Sequence, residues 1–417
     1  MFSNFYKNKR VFLTGHTGFK GSWLAEWLLM LGAEVHGYAL DPQAHEILFD
    51  QLGLSTRLAS DTRADLSDQV ALRNAINAAD PHIVFHLAAQ PLVRLSYEIP
   101  VETFATNVMG TAHVLEAIRL RNRPCTVVCV TTDKCYENRE WLHAYREEDA
   151  MGGHDPYSAS KGAAELVISS YRRSFFEQES GVRGQGPGIR LASARAGNVI
   201  GGGDWAKDRI VPDCMRSIRA GHPVPVRNKT ATRPWQHVLE PLSGYLWLAA
   251  SLASSSSPAP RPLSPVPSSS PSSSLPLLTD HCSLGTSSPS SPPAPRPLSP
   301  VPSSSLSSAF NFGPALTSNR TVADLVIELL KHTGGDWVDR SDPDTPHEAS
   351  KLNLAIDKAF HLLGWQPVWD FPTTIARTAE WYALADKDKD FRSITLNQIQ
   401  TYQKEARSQG VAWASNP

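Results

Sequence analysis

Residues 11–23 read Val11-Phe12-Leu13-Thr14-Gly15-His16-Thr17-Gly18-Phe19-Lys20-Gly21-Ser22-Trp23, and this stretch decides the fold. Three apolar residues form a short buried strand, and a glycine-rich turn follows. Beyond it Trp23, Leu24, Trp27, Leu28 and Leu31 recur at helical spacing. Glycines between a strand and a helix let the turn close tightly and let backbone amides approach a pyrophosphate at the helix N-terminus. The spacing is GxxGxxG rather than GxGxxG. Gly15, Thr17, Gly18, Phe19 and Gly21 are the expected contacts of a dinucleotide. A ligand-free βα turn has the same local pattern, so the context downstream decides.

That context repeats the unit. Apolar runs at residues 34–40, 82–87 and 126–130 read as buried strands, and residues 69–79 and 103–119 as helices. Strands alternating with helices imply βαβ units, and right-handed crossovers stack the helices on both faces of one parallel sheet. The expected fold class is α/β, a doubly wound parallel sheet of Rossmann type with a smaller mixed C-terminal substrate domain. Residues 1–190 are expected to form the dinucleotide-binding domain, its core receiving later segments, and residues 191–417 the substrate domain. In the latter, residues 309–312 read as a strand, and 321–331, 357–363 and 372–384 as helices.

Residues 251–308 differ in kind. Ser and Pro dominate, and Pro-Ala-Pro-Arg-Pro-Leu-Ser-Pro-Val-Pro-Ser-Ser-Ser occurs from Pro258 and again from Pro293. Proline removes backbone donors, and too few apolar groups remain to offset the ordering entropy. The segment is therefore expected to be a disordered insertion with polyproline II bias.

In doubly wound sheets ligands bind beyond the carboxyl ends of the strands. Asp41 ends the second strand, where an acid accepts hydrogen bonds from ribose hydroxyls and repels a 2′-phosphate. No arginine directly follows it, which favours NAD over NADP. Asp65 and Leu66 follow an expected third strand, where they would flank the adenine. Leu87, Ala88 and Ala89 end the fourth, and small residues there leave room for a dinucleotide. Thr131, Thr132, Asp133 and Lys134 follow the strand at residues 126–130 and should face the cofactor. Tyr157 and Lys161 stand four apart, on one face of a helix. An ammonium that close favours phenolate, so the phenol is expected to have a lowered pKa and to act as a base.

Taken together, Gly15 to Gly21, the run Asn107-Val108-Met109-Gly110-Thr111, Thr132-Asp133-Lys134 and the Tyr157/Lys161 pair resemble the extended short-chain dehydrogenases. Within that family the likeness is to the 4,6-dehydratases of nucleotide sugars. Relatives acting on dTDP- or GDP-sugars typically have Thr-Asp-Glu or Ser-Glu-Glu at the central motif, and Thr-Asp-Lys is similar to the members acting on CDP-glucose. Further matches are residues 195–205, 209–213, 233–238 and 363–365. The resemblance implies NAD as cofactor, a CDP-sugar as substrate and a homo-oligomer, dimer or tetramer. It implies oxidation at C4, elimination of water across C5 and C6, and hydride return to C6, a step toward deoxysugars. Tyr157 would be the base at the C4 hydroxyl with Thr132 beside it, Asp133 the acid at C6, and Lys134 would stand in the place of the C5 base. Lys161 would bind the nicotinamide ribose. Asn107 and Thr131 would lie along the cofactor. Gln90, Asn198, Arg209, Val211, Pro212, Arg233 and His347 would meet the substrate, the arginines gripping the diphosphate with planar forks. A 4-epimerase on the same fold needs no acid/base pair at C5 and C6. Asp133 and Lys134 speak against it, and against a non-catalytic NAD-binding scaffold.

Composition agrees with a globular enzyme: 41% of the 417 residues are hydrophobic and 19% charged. The 40 basic and 41 acidic side chains leave a net charge of -1, so no basic surplus favours nucleic acid or an anionic membrane. The first strand begins at Val11, which leaves no room for a signal peptide, and no apolar run approaches membrane length. Five cysteines without zinc-ligand spacing are expected to be reduced thiols of a cytoplasmic protein holding no metal.

Overall fold

The structure, a computed structural model, describes residues 1–42, 47–176, 188–254, 306–341 and 351–415. Seven parallel strands form the central sheet. They are β1 (Arg10–Thr14), β2 (Glu34–Ala39), β3 (Ser60–Arg63), β4 (Ile83–His86), β5 (Cys125–Val130), β6 (Ile189–Ala196) and β7 (Ala309–Phe312). Their spatial order is β7-β6-β5-β4-β1-β2-β3. The winding reverses between β1 and β4, which opens a crevice at the carboxyl ends of those two strands. The α/β, doubly wound expectation holds.

Because side chains alternate across a strand, each strand feeds two cores. Val11 and Leu13 of β1 and Ile83 and Phe85 of β4 enter one core, while Phe12 and Val84 enter the other. The second core is closed by α2 (Gln69–Ala79), α3 (Gly110–Arg121) and α4 (Pro156–Tyr171), through Leu72, Ile76, Val114, Leu115, Ile118 and Ile168. The first core is closed by α1 (Phe19–Met30), then by later helices. These are α5 (Ile210–Arg219), α6 (Leu239–Ser254), α7 (Val322–Thr333), α8 (Phe371–Asp388) and α9 (Phe391–Ser408). At its floor Trp27 packs edge-on to Tyr402 and Trp413, and Phe2 stacks on Trp413 at 5.1 Å. The leader before β1 is thereby tied to the C-terminal segment.

Several boundaries differ from the sequence expectations. Helix α1 begins at Phe19, ahead of the apolar stripe, because Gly21 lies so close to the turn that a Cβ would fall 2.1 Å from the Gly15 carbonyl oxygen. The helix expected over 103–119 runs without interruption from Pro100 to Arg121, passing through a π turn at Ala105–Met109 before α3. Strand β6 and helices α6 and α9 were not read from the sequence. Residues 251–254 close α6 instead of opening the insertion. At its far end Leu306 is buried and the Ser308 carbonyl accepts from Ser193 of β6. The rest of the insertion lies outside the described residues. Among the described residues no helix is long and apolar enough to cross a membrane.

Candidate active site

A cleft of about 1190 Å³ opens beyond the carboxyl ends of β1, β4 and β5. Its floor is the glycine turn. Gly15 has φ +74°, and a Cβ on it would meet the Ala88 amide nitrogen at 2.7 Å, so only glycine lets this turn lie against the end of β4. Gly18 is exposed and caps α1 without a side-chain hydrogen bond. The first turn of α1 therefore presents its amides to the cleft, the arrangement a pyrophosphate needs. The Thr14 hydroxyl accepts from Leu87 N and Ala88 N at 3.1 Å each, fixing the second wall. These features fit a dinucleotide.

The reacting end is built by β5 and α4. Thr132 caps the helical turn Asp133–Cys135 and donates to Asp133 Oδ1 at 3.0 Å. Asp133 is 2% exposed, and its other oxygen makes no hydrogen bond among the described residues. Burial raises its pKa, against the pull of Lys134, Thr132, Arg233 and Lys20. A carboxyl so placed keeps its proton more readily than one in water. Helix α4 is started by Asp155, which accepts from Ser158 N at 2.8 Å, with Pro156 in the first turn. That start turns Tyr157 and Lys161 toward Thr132 and Asp133. Thr132, Asp133, Lys134, Tyr157 and Lys161 all line one cleft.

The phenol departs from expectation. Burial pushes Tyr157 up to about 12, the Thr132 hydroxyl and Arg209 opposing this. Lys161 is not among the leading influences on it. Burial also lowers Lys161 to about 8, with Glu165 the leading influence in the opposite direction. Burial therefore favours the neutral phenol and makes the neighbouring ammonium easier to deprotonate.

Of the other sequence-predicted residues, Thr17, Phe19, Asp65, Leu66, Leu87, Ala88, Ala89, Thr131, Asn198, Arg209, Val211, Pro212 and Arg233 also line the cleft. Thr17 donates to the Leu40 carbonyl at 3.1 Å, and the Asp65 carboxylate accepts from Ser67 N at 2.7 Å. Arg209 is held by Asp204 at 3.0 Å. Asp41, Gln90 and Asn107 do not line it. Asp41 is exposed, 3.7 Å from Arg63, whose guanidinium is bound more tightly to Asp61. Asn107 is buried inside the π turn, accepting from Gln90 N at 2.8 Å and donating to Ser160 at 2.9 Å. The Gln90 amide donates to Thr103 at 2.9 Å. Both side chains are spent on shape. His347 lies outside the described residues.

Lys20, Arg94, Asp204 and Arg227 line the cleft without having been predicted. Lys20 is brought in because α1 starts early. Burial lowers its pKa to about 8, with Arg209 adding to this and Asp133 opposing. The signal was present in the quoted stretch, a lysine between two glycines of a phosphate turn. Among the described residues no three potential metal ligands come together.

Comparison with known proteins adds the following. The family model described as GDP-mannose 4,6 dehydratase matches residues 12–251. The chain is 42% identical over 401 residues to a CDP-glucose 4,6-dehydratase of Salmonella typhimurium, covering 96% of this chain and 97% of that one. It is 31% identical over 212 residues to GDP-mannose 4,6 dehydratase 2 of Arabidopsis thaliana, covering 46% and 56%. Among solved structures, DesIV, a dTDP-glucose 4,6-dehydratase of Streptomyces venezuelae with NAD and TYD bound, shares 20% identity and a TM-score of 0.67. The overlap covers 90% of this chain and 97% of DesIV. A UDP-glucose 4-epimerase of Thermotoga maritima gives 18%, 0.67, 90% and 99%. At those identities the two structures speak to the fold alone.

Proposed function

We infer the function from one premise: the chain belongs to the GDP-mannose 4,6 dehydratase family of sugar-nucleotide enzymes. It is an NAD-dependent hydro-lyase that converts CDP-glucose to CDP-4-dehydro-6-deoxyglucose. The observation that carries this reading is Asp133. Its buried carboxyl, with one oxygen unpartnered among the described residues, stands beside Lys134 in the cleft that also holds Tyr157 and Lys161. An epimerase has no use for such an acid.

Bound NAD supplies the hydride acceptor at C4, the hydride donor at C6 and a positive charge near the phenol. The first turn of α1 would hold its pyrophosphate, and Lys161 its ribose. Tyr157, assisted by Thr132, takes the proton of the C4 hydroxyl. Oxidation at C4 acidifies C5, and Lys134 in its uncharged form removes that proton and returns one to C5 when hydride is delivered to C6. Asp133 gives its proton to the departing C6 hydroxyl, and water leaves. Arg209 and Arg233 grip the diphosphate, Asn198 faces the sugar, and Val211 and Pro212 border the base. Residues 191–417 supply most of the substrate side.

Cytoplasmic work fits the four described cysteines, all free and buried. A homo-oligomer fits Val101, Phe104, Met109 and Leu166, large apolar side chains left exposed around α3 and α4. Incubating the protein and NAD with CDP-, dTDP-, GDP- and UDP-glucose separates the possibilities by NMR. A new C6 methyl from CDP-glucose is expected. A methyl only from another nucleotide overturns the substrate, and a C4-inverted sugar overturns the dehydration.

A further inference from the structure

Behind the cleft lies a buried polar chain that the proposed chemistry does not use. Glu165 sits one helical turn past Lys161 on α4 and is 5% exposed. One of its carboxylate oxygens accepts from the Thr131 hydroxyl. The other accepts from Ser193 at 2.8 Å and from the Arg195 guanidinium at 2.9 Å, both on β6. Arg195 in turn donates to the Tyr136 hydroxyl at 2.7 Å, and Tyr136 to Asn311 of β7 at 2.7 Å. One carboxylate therefore joins β5, where it leads into Thr132 and Asp133, to the helix that carries Tyr157 and Lys161.

We propose that Glu165 is a positioning residue of this active site. It holds the two catalytic segments in register and keeps the Lys161 ammonium charged. The inference rests on the roles given to Tyr157 and Lys161 above. The groups acting on Lys161 support it. Cys129 of β5 and Cys135 beyond it are thiols that burial pushes up, so they stay neutral. His86 of β4, lowered to about 3 by burial, is neutral as well. Lys20 of α1 is itself lowered by burial and by the Lys161 charge, and is not a leading influence on Lys161. Glu165, lowered by Arg195 and its hydrogen bonds despite burial, stays ionised and is the leading influence that keeps Lys161 protonated. Without that charge the ammonium is lost at lower pH.

The test is the pH profile of kcat/KM for CDP-glucose in Glu165→Gln, Glu165→Asp and the double variant Glu165→Gln/Arg195→Met. The double variant avoids stranding the Arg195 charge in the core should the single amide fail to fold. In the amide variants the alkaline limb should move down by on the order of one pH unit, about tenfold in rate at a pH on that limb. Glu165→Asp, which keeps the charge, should restore the limb while kcat stays reduced. Folded amide variants with an unmoved limb, whatever their melting temperature, overturn the proposal. Wild-type protein that forms no C6 methyl would instead overturn the reading of the site itself.

Discussion

At Asp133 the state of one carboxyl and the chemistry asked of it point the same way. Burial raises its pKa, so the carboxyl keeps a proton for a leaving hydroxyl more readily than one in water. Asp133→Asn should slow product formation about 10²–10⁴-fold. In the same variant, reduction of bound cofactor in a single turnover should persist, and loss of both signals would remove the assignment. Lys134→Ala should behave alike, oxidising C4 but retaining the C6 hydroxyl, as followed by NMR. These residues were legible in the sequence because a strand end followed by Thr-Asp-Lys, and a Tyr–Lys pair at helical spacing, are local patterns. The ionisation of Tyr157 was not. Spacing placed Lys161 near the phenol, but burial depends on the surrounding fold and outweighs that proximity. Asp41, Gln90 and Asn107 failed to reach the cleft for a related reason, since a sequence position does not say which way a side chain turns.

Helix α1 and the glycine turn form a single device, and Gly21 is its tightest point. Gly21→Ala sets a methyl into the Gly15 carbonyl and should cost about 1–3 kcal/mol, seen in thermal unfolding, with NAD affinity falling together with it. Helix α6 carries a different feature, Glu240. Its buried carboxyl accepts from Trp369 N at 2.7 Å and from the Tyr402 hydroxyl at 2.7 Å, tying α6 to the segment before α8 and to α9. Burial raises it to about 7. The folded state thus holds this proton longer than the unfolded chain does. The resulting penalty is absent below about pH 4.5, grows as pH rises and is complete above about pH 7. Glu240→Gln should therefore gain stability relative to wild type on moving from pH 5 to pH 8, by roughly 3 kcal/mol at most, and a pH-independent difference would refute this. Neither α6 nor α9 was readable beforehand. The α6 stretch is apolar around nearly its whole circumference and gives no stripe. In α9, Ile394, Ile399, Tyr402 and Ala406 are the inward residues among many polar ones, and packing on α8 and α1 singles them out.

Across the whole molecule, the doubly wound plan was legible because β1, β4 and β5 are short apolar runs separated by helical stretches. The second half resisted because its strands are short and its core is completed by contacts distant in sequence. The Ser/Pro segment leaves from the end of α6 and returns into β7, the strand at the far edge of the sheet from β1, while the cleft opens over β1, β4 and β5. Replacing residues 255–305 with a short Gly/Ser linker should leave kcat/KM within about twofold and the melting temperature nearly unchanged, because closure entropy changes only slowly with the length of a connection. The central claim is that one cleft moves a hydrogen from C4 to C6 of a single sugar while water leaves between them. CDP-glucose deuterated at C4, converted in ordinary water and examined by NMR and mass spectrometry, tests it most directly. The label should appear in the C6 methyl of a 4-keto product; a label returned to C4 of an inverted sugar, or lost to solvent, would contradict it.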